Sequence, residues 1–348
     1  MMLWWLMACT QPVDVLDSTI AGVSGEATGI VMTTTDFSTG ALSVLDLATG
    51  QVNANLAPTS GDPFVVVTGG QVVQINGYLN DTIRLYQPGQ WEIPLAEYGV
   101  GQAANPHDAL LIDGVLWVSL YGRDSLELRD PTSGEVLNTV DLSPYADADG
   151  LPEASSMAFV DGLVFVALQR FDRDQEWLPL DGRVLAIDPD TRVVVHEWTT
   201  GTSPQISAGA EPGNVWVKTG SYSGSQPAFD GTVVSLQKDQ GLGEPLWDES
   251  ERQERVDQWV QAENGDVIVV VDRGNGDYGM YCGWPGDWTR GPDSTQWLSD
   301  AVVDDRGRVF LAARTLLGGG ELWAIDHRSC QDAGRAETVL APYRLGLF

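Results

Sequence analysis

The chain has 348 residues, with 49 Asp and Glu against 19 Lys and Arg, a formal net charge of −30. So acidic a surface repels phosphate backbones and anionic headgroups, which argues against nucleic-acid binding and against a polybasic membrane patch. With 43% hydrophobic residues and 13 Trp there is ample material for a packed core, which excludes wholesale disorder.

In chain order, residues 1–9 read Met-Met-Leu-Trp-Trp-Leu-Met-Ala-Cys, apolar and uncharged. A membrane-spanning helix needs about 20 apolar residues, so this run is too short to cross a bilayer. Leu6-Met7-Ala8-Cys9 resembles the lipobox of bacterial lipoprotein signal peptides, with small Ala8 before the cleaved bond and Cys9 as lipid acceptor. The basic n-region is missing and the apolar stretch is short, as a start codon assigned too late would produce. A chance apolar N-terminus is the other reading. The resemblance implies an extracytoplasmic protein, and Thr10 rather than Asp after the cysteine implies the outer membrane. Residues 10–27 then read as a tether, and the membrane is met only through the lipid.

From residue 28 to residue 348 one unit repeats. An apolar strand ends in Asp, a tight turn follows, and another strand begins: Ser43-Val-Leu-Asp46-Leu-Ala-Thr-Gly50, Leu126-Glu-Leu-Arg-Asp130-Pro-Thr-Ser-Gly134, Val184-Leu-Ala-Ile-Asp188-Pro-Asp-Thr191 and Leu322-Trp-Ala-Ile-Asp326. Asp46 and Asp130 stand 84 residues apart, twice 42; Asp188 and Asp326 stand 138 apart, three times 46. Weaker copies at Arg84–Gln87, Val233–Gln237 and near Met280-Tyr-Cys282 complete seven units. Before each comes a strand, a two- or three-residue turn and a strongly apolar strand, as in Asp108–Leu120, Ser156–Leu168 and Asp300–Ala312. The Asp113-Gly114 and Asp161-Gly162 turns supply the positive φ that a tight hairpin needs. Four short antiparallel strands, seven times over, predict an all-β chain folded as a seven-bladed β-propeller, a single domain over 28–348. Spacing alone also admits six or eight blades. The first blade lacks an inner strand of its own, and Pro342–Phe348 is placed to supply it. Trp117, Trp216 and Trp323 fall in strands and read as core.

Ser43–Val52 resembles the repeats of YVTN-type surface and periplasmic propellers, and Asp300–Ala312 is similar to NHL-type repeats. Both resemblances are structural; they imply a fold and no particular chemistry. With Cys9 set aside, Cys282 and Cys330 form an even pair in an oxidising compartment, which favours a disulfide over two free thiols.

The repeat register places the turns between first and second strands, and between third and fourth, on one face. They are short apart from residues 283–296. The other face carries the insertions 143–154, 170–181, 220–230 and 272–278, and long loops gathered on one face mark a binding face. Residues opening each inner strand should ring the channel mouth there: Asp62, His107 with Asp108, Glu153 with Ser156, Gln205, Asp257 and Asp300. Arg123, Arg170, Tyr222 and Arg273 join from the loops, and Trp177 is the aromatic for which exposure is most expected. Such a ring can hold Ca²⁺ or another divalent cation, with His107, Asp108, Glu153 and Asp300 as ligands, or it can simply solvate a water-filled channel. Asp147-Ala-Asp149-Gly150 fails as a calcium loop, since Tyr145 and Ser156 occupy its first and closing positions. The leading expectation is a non-catalytic, monomeric binding module for a small ligand or an envelope protein. The competing one is a metal-dependent hydrolase resembling gluconolactonase-type propellers.

Overall fold

A computed structural model describes residues 14–16, 20, 27–223, 226–262, 264–315 and 319–348. Cys9 and most of the expected tether lie outside the described residues. Asp14–Leu16, however, pairs antiparallel with the fourth strand of the first blade and Ile20 is buried in a core cluster, so this part of the segment packs on the propeller. Why the chain folds as it does is clearest in the second strand of each repeat. Leu116, Val118 and Leu120 pack into one apolar cluster, while the intervening Trp117 packs into another on the opposite side. Phe165 and Ala167 likewise face away from Val164, Val166 and Leu168. A strand buried on both faces needs no polar alternation, and this explains its continuous apolar text.

The result is a ring of seven four-stranded antiparallel blades. The second to fourth blades begin with inner strands Pro63–Thr68, Pro106–Ile112 and Ala154–Val160. The fifth, sixth and seventh begin with Gln205–Ala208, Arg255–Gln261 and Trp297–Val303. Pro342–Leu347 pairs antiparallel with Gly29–Thr35 and supplies the inner strand of the first blade, closing the ring as the sequence implies. The core is seven apolar clusters, one at each blade-to-blade interface. Each blade therefore buries its faces only against its neighbours, which is the basis for stability in a circular repeat. Among the described residues the one α-helix is the four-residue Glu249–Arg252, and no helix is long and apolar enough to cross a membrane.

The repeated Asp has a single local task. Asp46, Asp130, Asp188 and Asp326 each follow or end a third strand and accept the backbone N–H three residues on, at 2.7–2.9 Å. These bonds hold all four carboxyls below their ordinary range. The residue after this turn is left-handed in every copy: Gly50, Gly134, Arg192 and Cys330 have φ of 71°, 72°, 61° and 55°. Cys330 thus takes a position glycine fills elsewhere, and it is bonded to Cys282 on the third strand of the sixth blade, with a Cα–Cα distance of 5.6 Å.

One register assignment needs correction. Residues 283–296 are not a long third-to-fourth-strand loop, because Asp287–Arg290 is itself the fourth strand, paired back onto Tyr281–Trp284 through a tight turn. The longest such connection is in the second blade, between Thr82–Tyr86 and Ala96–Gly99.

Candidate functional site

Neighbouring inner strands are stitched together at the channel, and the stitches consume several groups the sequence offers as ligands. Asp108 Oδ1 accepts from the Ala109 N–H at 2.8 Å, and its Oδ2 accepts from Met157 N–H of the next blade at 2.6 Å. Asp300 repeats this, accepting from Ala301 N–H at 3.0 Å and from Leu345 N–H of the closing strand at 2.8 Å. Ser156 Oγ accepts from Ile206 N–H at 2.8 Å, and the Gln258 amide donates to Ser299 O at 2.9 Å. The ring is held at its centre by hydrogen bonds as well as by the apolar layers further out.

Within it lies a cavity of about 470 Å³. Of the residues expected at the channel mouth, Asp62, His107, Asp108, Ser156, Gln205 and Asp300 line it together. The His107 ring stacks on Tyr121 at 4.3 Å and lies 5.0 Å from Phe64. Burial, with the positive Arg344 nearby, pushes its pKa down to about 3, so the imidazole is neutral at ordinary pH. Burial also pushes Asp108 up to about 7 against its two backbone donors, and raises Asp62 and Asp300 against the pull of Arg344.

Glu153 and Asp257 do not reach this cavity. Glu153 is fully buried and binds Arg173 Nε at 2.9 Å and the Phe171 N–H at 3.1 Å, pinning the 170–181 insertion. Burial raises it to about 7 despite the arginine. Asp257 falls at a β-bulge between Val256 and Gln258, so Gln258 takes the lining position instead. The Asp257 carboxylate accepts from Trp297 Nε1 at 3.1 Å and pairs with Arg255. The proposed quartet of His107, Asp108, Glu153 and Asp300 is therefore not assembled. Among the described residues no three His, Cys, Asp or Glu side chains meet in a way that could hold a metal ion. With Asp108 and Asp300 committed to amides and Glu153 to Arg173, the donor set does not fit a divalent cation.

The expected loop residues mostly hold loops in place. Arg123 donates to Gln102 O and Ala103 O, and Arg170 to Asp181 O. Arg273 meets Glu254, Asp277 and Asp293. The Tyr222 hydroxyl accepts from Arg255 and donates to Asp272 Oδ2 at 3.2 Å. Trp177 is exposed, at 53%, with the Arg173 guanidinium 4.9 Å above its ring; Tyr78, not singled out from the sequence, is exposed at 63%. Phe37, Tyr78, Leu79, Trp177 and Tyr222 all stand exposed on connections between second and third strands, so the channel face has an apolar rim.

Sequence reasoning missed the cation at the centre. Arg344, third residue of the closing strand, lines the cavity; its Nη1 donates to Ser299 O at 3.1 Å and its buried Nε has no partner. Its guanidinium lies 4.6 Å from the Tyr343 ring centroid and 5.2 Å from that of Phe64. Arg314 stands beside it, 4.2 Å from the Phe37 ring and 5.2 Å from Tyr343, with Nη1 also buried and partnerless. The signal was available: applying the inner-strand rule to Pro342–Phe348 puts Arg344 at the mouth.

No protein-family model matches the sequence, and no curated protein matches it. Solved structures do. A putative 6-phosphogluconolactonase from Bacteroides uniformis aligns at 11% identity and TM-score 0.63, over 93% of this chain and all of that one. A second, from Bacteroides fragilis, aligns at 9% identity and TM-score 0.63, over 92% and 97%. TolB from Acinetobacter baumannii aligns at 11% identity and TM-score 0.52, over 92% of this chain and 66% of its own. At such identities the likeness establishes the propeller fold, which serves lactonase-like and binding proteins alike.

Proposed function

We propose that this protein is an extracytoplasmic binding propeller, tethered through Cys9, that holds a small hydroxylated carboxylic acid in the channel mouth. The observation that carries the reading is Arg344. In a chain of net charge −30, one arginine at the channel wall has an orphaned buried Nε, with Arg314 and its own orphaned Nη1 adjacent. A guanidinium supplies paired N–H donors matched to a carboxylate, and in a recessed site such bonds are about twice as strong as neutral ones.

The remaining lining suits hydroxyl groups. Gln205 offers an amide, neutral His107 offers a donor and an acceptor, and Asp62 offers a carboxyl drawn toward the protonated form by burial. Phe64 and Tyr343 supply apolar faces for a carbon ring. Sugar acids combine these demands. The Cys282–Cys330 disulfide supports an oxidising compartment, and the YVTN- and NHL-like repeat text supports an envelope address. The committed carboxylates favour binding over metal-assisted hydrolysis.

A melting panel tests this. Galacturonate and glucuronate should raise the melting temperature with concentration, while neutral hexoses and acetate should not, because binding to the folded state alone stabilises by mass action. If the acids act no differently from sodium chloride at matched ionic strength, the proposal fails.

A further inference from the structure

Beyond the channel mouth, a second space lies in the wall between the fifth and sixth blades. It measures about 80 Å³, near the volume of two to three waters, and shares Gln205, Ile206 and Gln258 with the channel cavity. Trp216, Trp259 and Lys218 complete its character. Lys218 ends the second strand Asn214–Lys218 and is only 8% exposed. It is one of two lysines in the sequence; the other, Lys238, is exposed in a turn.

A buried ammonium normally demands full pairing, because desolvating an uncompensated charge is costly. Lys218 does not have it. Nζ donates to Asp257 O at 2.8 Å, and among the described residues it makes no ion pair within 4 Å. Arg255 and Arg344 oppose its charge, Asp257 and Glu249 favour it, and burial outweighs them all, lowering its pKa to about 7. A large fraction of the amine is then unprotonated near neutral pH, the state in which a lysine is a nucleophile. The Trp259 Nε1–H, on a residue lining the same space, is buried without an acceptor.

We propose that Lys218 is a reactive amine that condenses with the carbonyl of a two- or three-carbon aldehyde or ketone entering from the channel. The neutral amine attacks the carbonyl carbon, a C–N bond forms, and the C=O π pair moves to oxygen, giving a carbinolamine. Loss of that oxygen as water leaves a protonated imine. Counted from the ammonium form, one ammonium and one carbonyl give one iminium and one water, with nothing oxidised or reduced. The small space limits the partner to a few heavy atoms. A lysine kept only to donate one hydrogen bond to Asp257 O would need no cavity against its side chain, nor one whose wall is shared with the channel.

Acetaldehyde with cyanoborohydride, followed by peptide mass spectrometry, tests this on the intact protein, and Lys238 is the internal control. At pH 7 Lys218, its amine drawn toward the free base by burial, should be alkylated at least about ten-fold faster than the exposed Lys238. At pH 10.5 that advantage should vanish. Lys218→Arg should abolish the fast adduct and Lys238→Arg should leave it unchanged. Lys238 reacting as fast as Lys218 in wild-type protein at pH 7 overturns the proposal, whether or not the arginine variant folds. The probe carries no carboxylate, so the outcome is independent of whether the channel mouth binds an acid.

Discussion

Replacing both Cys282 and Cys330 with Ala should destabilise the propeller by about 4 kcal/mol. The bond joins the third strand of the sixth blade to the third-to-fourth-strand turn of the seventh across a sequence separation of 48 residues. Closing a loop of that length in the unfolded chain removes about 14 cal/mol/K of entropy on the chain-entropy model, hence about 4 kcal/mol at 25 °C. The two sulfurs also sit in the interface cluster with Met280 and Trp323, and both cysteines are at most 2% exposed, so truncation adds a small packing loss. For a chain of this length the melting entropy scales to about 0.7 kcal/mol/K, which turns the loss into a fall of about 5–6 °C. Calorimetry of the double variant beside wild type, each with and without reductant, makes the measurement. Wild type in reductant should approach the variant, and the variant should ignore reductant. A fall below 1 °C, or a reductant effect that persists in the variant, would refute the loop-closure argument.

Stability should also fall as pH rises from 4 to 7, because folded Asp108, with a pKa of about 7, keeps a proton that the unfolded carboxyl has released above its ordinary 3.8. The contribution is at most about 4 kcal/mol across that window. Asp108→Asn should flatten the slope measured by urea unfolding, whereas Asp113→Asn, in the exposed turn at the other end of the strand, should preserve it; equal slopes would contradict the assignment. Gly291→Ala should lower the melting temperature by several degrees, since its Cβ would stand 2.6 Å from Met280 Cγ and 2.9 Å from Cys330 Sγ in the closed interface. In cells fed labelled palmitate, the chain expressed with a full signal segment should incorporate label and Cys9→Ala should not; labelling of both would remove the anchor.

How far the sequence speaks depends on the range of the interaction. Local devices were legible: the Asp46-type turn is written in four consecutive residues, and Asp113-Gly114 announces a hairpin directly. Features that follow from the repeat count were legible too. The closing strand and the Cys282–Cys330 pairing need only the register and seven blades. What escaped depends on single-residue geometry within the ring. The bulge beside Val256 turns Asp257 away and presents Gln258, although in the sequence they are simply neighbours. Glu153 opens its blade as expected, yet Arg173, twenty residues on, takes it into a buried pair. Asp108 and Asp300 sit where expected, but their oxygens face the next blade's amides, a partner visible only once the ring is built.

The central claim, that Arg344 anchors a hydroxylated carboxylate in the channel, is tested most directly by calorimetric titration of galacturonate into wild-type protein and into Arg344→Gln. The glutamine variant keeps an amide donor toward Ser299 O but loses the cation, so it should fold like wild type. Removing a charge-assisted pair at a recessed site costs about 1.5–3 kcal/mol, which predicts affinity weaker by about 10- to 150-fold. Wild type should bind with one site per chain and the variant should follow that loss. Equal affinity in the two proteins, or no heat with wild type, would contradict the account.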